Sequence, residues 1–208
     1  YKRIGEGDKG PNTGGMGAVS PVPFANEKKK KKIEERVIIP TINGLQKEGL
    51  DYRGFIFLGF MIENDEPYMI EYNCRMGDPE TEVVMPRLKN DLVELFQAVA
   101  EQKLDTIKIE TDERTVCTVV AVSGGYPSDY KKGYEIHGLQ DINPADSVVY
   151  HMGTIIKDGK VVTNGGRVFC VTSYGRSIYD AVAISKEEIE KITFTGMEYR
   201  SDIGYEFD

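Results

Sequence analysis

Glu71 and Asn73, two positions apart at the end of an alternating segment, are the residues best suited to chemistry. Residues i and i+2 of a β-strand point to the same face, roughly 6–7 Å apart. The pair would therefore present a carboxylate and an amide oxygen side by side. A hard divalent ion such as Mg²⁺ is usually held by one or two such oxygens together with substrate phosphates. We predict that Glu71 and Asn73 bind a divalent metal ion.

The residues after this strand are expected to turn into a helix. Asp78 stands where a helix N-cap is expected, with Pro79 at the first helical position. Arg75, just before them, carries a planar guanidinium that suits an anionic group. A simpler alternative stays open, because acidic residues at a helix start also complement the helix dipole without binding anything.

A glycine-rich segment, residues 10–18, precedes this region and reads Gly-Pro-Asn-Thr-Gly-Gly-Met-Gly-Ala. One interpretation is a backbone wall close to a small substrate, with amide N–H groups available to an anion. The alternative is a loop whose glycines only provide positive φ angles. Residues 5–10 also match the spacing of a dinucleotide-binding fingerprint, but no apolar strand precedes them and no helix follows, so that function is excluded.

Together, these segments resemble the glycinamide ribonucleotide synthetase (phosphoribosylamine–glycine ligase) family of the ATP-grasp superfamily. The resemblance rests on residues 10–18 and on residues 75–82, Arg-Met-Gly-Asp-Pro-Glu-Thr-Glu, which match the family's own signature. Shorter similar stretches follow in the family's order, and they are residues 125–127, 130–133, 164–167 and 200–204. The resemblance therefore covers nearly the whole chain.

The resemblance implies an ATP-dependent carbon–nitrogen ligase of purine biosynthesis. Such an enzyme joins glycine to 5-phosphoribosylamine through a glycyl phosphate, giving glycinamide ribonucleotide, ADP and phosphate. ATP is then a substrate and Mg²⁺ or Mn²⁺ the cofactor, held by Glu71 and Asn73. Arg75 is expected to be catalytic, with Asp78 and Glu80 orienting it. The implied substrate-binding residues are Asn12, Thr13, Gly14, Gly15, Met16, Gly17, Arg75 and Asp78.

The family's N-terminal and adenine-binding parts do not occur in this sequence, which begins at Tyr1. We therefore expect the C-terminal half of the enzyme, inactive alone, with the missing N-terminal part of the same polypeptide as its partner. Two alternatives remain. The chain could be a metal- or phosphate-binding module without catalysis, or part of another ATP-grasp carboxylate–amine ligase, although the signature at residues 75–82 argues against the latter.

Composition narrows the possible partners and location. The 208 residues carry 26 basic and 34 acidic side chains, a net charge of −8, which argues against nucleic acid or a membrane surface. The three cysteines form no Cys-x-x-Cys pair, in agreement with a reducing cytoplasm. No apolar run approaches the roughly 20 residues of a membrane span. We expect a cytoplasmic protein that acts on small molecules.

The periodicity predicts an α+β fold in two parts. The family resemblance implies that residues 1–106 are the C-terminal portion of an ATP-grasp domain, an antiparallel sheet with helices. Residues 107–208 are expected to be a small, mostly β C-terminal domain with one flanking helix. The predicted elements are a loop over 1–23, helices over 27–49, 91–103 and 177–192, an antiparallel pair of strands over 52–62 and 68–73, and a central strand over 115–122.

Three details of this prediction bear on the site. Tyr68, Ile70 and Tyr72 are expected to form the inward face of the second strand of the antiparallel pair. Lys131 and Lys132 on a glycine-bounded loop could clamp a phosphate or form an ordinary solvated turn. Arg167, at the start of a strand, could bind an anion or cap its own sheet.

Overall fold

The structure is a computed structural model that describes residues 1–207, so residue 208, the last of the predicted second domain, lies outside the described residues. The chain forms two compact units that interleave along the sequence. Unit 1 contains residues 1–20, residues 78–88 and the chain from residue 111 onward, and unit 2 contains residues 21–77 and 89–110. The family-based boundary at 106/107 stays a prediction, because these units do not meet at one point of the sequence.

The described residues contain short helices and mainly antiparallel strands. The strands are β1 Arg3–Gly5, β2 Lys9–Asn12, β3 Gly17–Ser20, β4 Phe57–Glu63, β5 Glu66–Asn73, β6 Thr115–Ser123, β7 Ser147–His151, β8 Thr154–Lys157, β9 Lys160–Thr163, β10 Arg167–Gly175 and β11 Met197–Glu198. The α-helices are α1 Glu27–Ile33, α2 Ile39–Lys47, α3 Thr81–Val84, α4 Leu92–Ala100 and α5 Ile178–Ile189. The predicted α+β class is confirmed. No helix among these residues is long and apolar enough to cross a membrane.

β6 is the central strand of unit 1, as its apolar run predicts. All nine of its residues are buried. β10 pairs along one edge of β6, while β3 and then β11 pair along the other, and β7 pairs with the far side of β10. Every one of these pairings is antiparallel. The continuous apolar pattern follows from burial of both faces of the strand.

α5 covers one face of this sheet, and its start follows the expected capping chemistry. The Ser177 hydroxyl accepts a hydrogen bond from the Asp180 N–H at 3.1 Å, which satisfies a free donor of the first turn. Ala181, Ser185 and Ile189 form its buried stripe, at helical spacing. The predicted flanking helix over 177–192 is confirmed, ending slightly earlier.

The first twenty residues form more structure than the predicted loop. β1 and β2 pair as a small hairpin, and β3 joins the central sheet beside β6. The prediction failed because the partner of β3 lies about a hundred residues away, and local composition carries no signal for such a pairing. The glycine-rich segment is therefore anchored at its C-terminal end inside the sheet.

Unit 2 contains the predicted antiparallel pair, β4 and β5, together with α1, α2 and α4. A π-helical stretch, Glu34–Ile38, separates α1 from α2, and Pro40 lies in the first turn of α2. One expectation for β5 was wrong. Tyr68, Ile70 and Tyr72 are each more than half exposed, and a register shift opposite Gly59 and Phe60 interrupts the simple alternation on which the expected inward face was based.

Candidate functional site

Glu71 and Asn73 lie at the C-terminal end of β5, in the regular part of its ladder with β4. Gly59 is the partner of Glu71, and Phe57 is the partner of Asn73. Two residues separated by one position in a regular strand project to the same face. Glu71 is exposed and Asn73 is half-buried.

Gly59 makes room for the Glu71 side chain on this face. A Cβ at position 59 would lie 3.1 Å from Glu71 Cγ and 3.7 Å from Glu71 Oε1. No group of three or more His, Cys, Asp or Glu residues in the described chain is arranged to hold a metal. A carboxylate and an amide oxygen on one strand face are donors of the kind that Mg²⁺ takes in sites with few protein ligands.

Arg75 follows β5 in the same unit. Its side chain is exposed, and its Nη1 donates a hydrogen bond to the Met76 carbonyl at 2.8 Å. This contact engages one edge of the guanidinium with the local backbone. A planar fork of this kind remains able to donate to an anionic oxygen from its other N–H groups.

The glycine-rich segment has a different construction from the one expected. The N–H groups of Gly14 and Gly15 donate to Tyr126 Oη and Thr13 Oγ1, each at 2.9 Å. The N–H groups of Thr13 and Met16 donate to the Lys2 and Tyr1 carbonyls. The prediction that this segment offers free amides to an anion is wrong for residues 13–16, because each of these donors already has a partner within the chain.

The other predicted residues of this segment have distinct positions. Asn12 is exposed at the end of β2, where its backbone pairs with that of Arg3. Met16 is fully buried and packs against the central sheet. Gly17 is buried at the start of β3, and a Cβ there would lie 2.7 Å from the Thr118 carbonyl oxygen. Met16 and Gly17 thus have evident structural roles.

Asp78 does not cap a helix, contrary to the expectation. α3 begins at Thr81, with Glu80 at its N-cap position and no side-chain capping bond. The Asp78 carboxylate instead accepts two hydrogen bonds from Arg167, from Nη1 at 2.7 Å and from Nη2 at 2.8 Å. This is the bidentate geometry in which an arginine and a carboxylate interact most strongly.

The same guanidinium packs against the glycine-rich segment. A Cβ on Gly14 would lie 2.7 Å from Arg167 Cζ, and a Cβ on Gly15 would lie 2.4 Å from the ring of Pro79. Gly14 thus admits the guanidinium because it lacks a side chain. Unit 1 contains all five residues of this arrangement, Gly14, Gly15, Asp78, Tyr126 and Arg167.

Glu82 lies in α3 and has an unusual carboxylate. Its Oε2 is the only buried side-chain oxygen or nitrogen without a hydrogen-bond partner among the described residues. Burial raises the pKa of Glu82, the Asp78 and Glu80 carboxylates raise it further, and the Arg167 guanidinium partly opposes them. An unsatisfied buried acceptor is destabilising.

We expect Glu82→Gln to increase the free energy of unfolding at pH 7, by up to about 1 kcal/mol, because it removes a charge whose burial is only partly offset by a backbone hydrogen bond and by Arg167. A raised pKa means that the folded state holds its proton more tightly. The destabilisation by ionised Glu82 is thus absent below its unfolded-state pKa of 4.5, and it grows as the pH rises through its folded-state pKa. Urea unfolding at pH 7 and pH 4 tests this.

The exposed Glu113→Gln variant is the control for the Glu82 measurement and should change stability little at either pH. Equal stabilisation by the two substitutions, or a gain from Glu82→Gln that persists unchanged at pH 4, would contradict the prediction.

The structure thus divides the predicted site residues between the two units. Glu71, Asn73 and Arg75 belong to unit 2, whereas residues 12–17 and Asp78 belong to unit 1. Sequence reasoning missed the partners of Asp78 and Gly14, namely Arg167 and Tyr126. The Gly-Gly-Arg stretch before β10 drew attention to Arg167, but no spacing in the sequence indicates its contact with Asp78.

The chain matches two models of one known family. Residues 1–81 match the family described as phosphoribosylglycinamide synthetase, ATP-grasp (A) domain, and residues 116–206 match phosphoribosylglycinamide synthetase, C domain. The two matches follow each other in the order predicted from the sequence.

Individual relatives agree with the family matches. Phosphoribosylamine–glycine ligase of Caldanaerobacter subterraneus is 46% identical over 98% of the chain and 48% of the relative. The trifunctional purine biosynthetic protein adenosine-3 of Gallus gallus is 46% identical over 99% of the chain and 20% of the relative. The crystal structure of phosphoribosylamine–glycine ligase from Thermotoga maritima superposes with a TM-score of 0.81, at 40% identity over 97% of this chain and 49% of that one. The chain spans about half the length of the single-function relatives.

Proposed function

The chain belongs to the phosphoribosylglycinamide synthetase family, and on this premise we propose that it forms the C-terminal half of an ATP-dependent carbon–nitrogen ligase. The proposed reaction joins glycine to 5-phosphoribosylamine, giving glycinamide ribonucleotide, ADP and phosphate in purine biosynthesis. The names of the relatives support this reaction. The three free thiols agree with the cytoplasmic location that we also propose.

The reaction requires two transfers. A carboxylate oxygen of glycine takes the γ-phosphoryl group of ATP, and ADP leaves. The amine nitrogen of phosphoribosylamine then attacks the acyl carbon, phosphate leaves, and the nitrogen loses a proton. Phosphoryl transfer depends mostly on positioning and on neutralising charge at the transferred group, so residues that present cations or hold them are the ones that matter.

The observation that carries this proposal is the shared face of Glu71 and Asn73 over Gly59. These two residues would hold Mg²⁺ or Mn²⁺. Such an ion would supply positive charge that offsets the charge of the transferred group. Arg75, on the segment that leaves the same strand, would donate to an oxygen of the acyl phosphate or of the leaving phosphate.

A chimeric enzyme tests the proposed function. The matched half of the Thermotoga maritima ligase is replaced by this chain, and folding is verified by circular dichroism. Formation of glycinamide ribonucleotide from ATP, glycine and phosphoribosylamine is then measured. We expect turnover that depends on all three substrates. A folded chimera that hydrolyses ATP without forming the amide product would contradict the assignment.

Glu71→Ala in the chimera should raise the Mn²⁺ concentration needed for half-maximal activity at least tenfold, because loss of even an outer-shell partner of a metal typically costs this much. Glu63→Ala is the matched control. Glu63 is an exposed carboxylate at the opposite end of the same β4–β5 pair. An equal effect of the two substitutions on Mn²⁺ activation would contradict the assignment of Glu71 to the metal site.

A further inference from the structure

We propose that Arg167 is a positioning residue that holds the Gly14–Gly15 turn and Asp78 in place for the acceptor substrates, glycine and phosphoribosylamine. This inference rests on the proposed function and adds to it a residue outside the two motifs that carry the family resemblance. Arg167 stands 89 positions after Asp78 in the sequence.

The two Nη atoms of Arg167 donate to the two carboxylate oxygens of Asp78 at 2.7 and 2.8 Å. The Arg167 side chain is 18% exposed and that of Asp78 is 46% exposed. The guanidinium is thus fixed by a mostly buried, bidentate contact, while the carboxylate keeps an edge open to solvent. An open edge beside a fixed cation is where a small polar substrate can bind.

Arg167 also packs against the glycine at position 14. The Cβ of any other residue there would overlap the guanidinium, at 2.7 Å from Cζ. Gly14 has no positive φ angle, so its conformation alone does not require glycine. The absence of a side chain at this position is therefore explained by Arg167.

The Gly14–Gly15 turn carries no charged side chain of its own. The N–H groups of residues 13–16 all have partners inside the chain, so the turn itself offers no free amide to an anion. Arg167 is the cation in contact with this turn. The turn is also held from the other side, because the Gly14 N–H donates to the Tyr126 hydroxyl. The turn therefore depends on Arg167 and Tyr126 for its position and on Arg167 for its positive charge.

The experiment uses the chimera and compares Arg167→Ala, Arg167→Lys and Gly14→Ala. Misplacement of a substrate-positioning group by about 1 Å can cost up to a hundredfold, so we expect kcat/KM for glycine or phosphoribosylamine to fall at least about tenfold in each variant. KM for ATP should change less than twofold. Arg167→Lys should fail as Arg167→Ala does, because an ammonium cannot form the bidentate contact.

Chemical rescue separates positioning from general damage to the fold. Methylguanidinium added at millimolar concentration should restore most of the activity lost in Arg167→Ala. It should restore none in the Arg167→Ala, Gly14→Ala double variant, because the added methyl group occupies the vacated space. Arg176→Ala, which removes a 94% exposed arginine of the same unit, is the control that should retain full activity.

The outcomes distinguish this inference from the proposed function. An inactive parent chimera would contradict the proposed function. An active parent combined with full activity of Arg167→Lys, with a rise in KM for ATP alone, or with equal rescue of the single and double variants would overturn the role of Arg167.

Discussion

Arg200→Met is expected to lower the free energy of unfolding by about 3 kcal/mol, the lower end of the cost of removing one partner of a buried ion pair. Arg200 is fully buried. It donates to Asp202 at 2.7 and 2.8 Å and to Asp8 at 2.6 Å, and the ring of Tyr1 lies 5.4 Å from its Cζ. The lower figure is appropriate because Asp8 is partly exposed and can be resolvated.

The Arg200 cluster also sets a pH dependence. Hydrogen bonds from Tyr205 and Arg200 lower the pKa of Asp8. Burial alone would raise the pKa of Asp202, but hydrogen bonds from Arg200 and the Gly7 N–H outweigh it and lower that pKa as well. A carboxyl group whose pKa is lowered by folding stabilises the folded state above its unfolded-state pKa of 3.8. This stabilisation is lost as the pH falls through the folded-state pKa.

Urea unfolding at pH 7 and pH 3 measures both effects, with Arg176→Met as an exposed control. Arg200→Met should lose stability at pH 7 and should show a weaker decline towards pH 3 than the unsubstituted chain. A loss no larger than that of Arg176→Met would show that the cluster contributes little to the fold.

Gly138→Ala should lower the free energy of unfolding by about 4 kcal/mol, which is more than the loss expected for Arg200→Met. This loss combines the strain of a left-handed backbone conformation with overpacking against fixed atoms. Gly138 has φ +86°, and a Cβ there would lie 2.0 Å from the Lys191 carbonyl oxygen. The neighbouring residues His137 and Thr193 exchange two backbone hydrogen bonds. The chain cannot move away from Lys191 without breaking this bridge.

Gly133→Ala is the matched control for Gly138→Ala. Gly133 has nearly the same φ, +89°, but nothing lies within 4 Å of the position of its Cβ. Gly133→Ala should therefore lower the free energy of unfolding only by the cost of backbone strain, about 1 kcal/mol. Thermal and urea unfolding of both variants give the difference, and equal losses would mean that the backbone at position 138 moves freely enough to avoid the contact.

The elements that were predicted correctly are those determined by neighbouring residues. The apolar run of β6 identifies a central strand, and Ser177 marks the start of α5. Glu71 and Asn73 share a face for the same reason, because residue alternation in a strand is a local property. Whether they bind a metal ion stays a prediction.

The sequence-based predictions that were wrong involve contacts between residues far apart in the sequence. Asp78 has the sequence context of an N-cap, yet its carboxylate binds Arg167, and this contact outweighs local capping preference. The glycine-rich segment has the composition of an open loop, yet its amides are bonded to Lys2, Thr13 and Tyr126 and its end pairs with β6. Periodicity and capping rules carry no information about such partners.

The three cysteines differ sharply in their environments, which provides a means of observing the predicted metal site. Burial raises the pKa of Cys117 and of Cys170 to about 12, so these thiols are almost entirely protonated at neutral pH and poorly nucleophilic. Cys74 is exposed and stands between Asn73 and Arg75. A nitroxide or fluorophore attached through a thiol-directed reagent would therefore label one place in the unaltered chain, beside the two oxygen donors whose occupancy is in question.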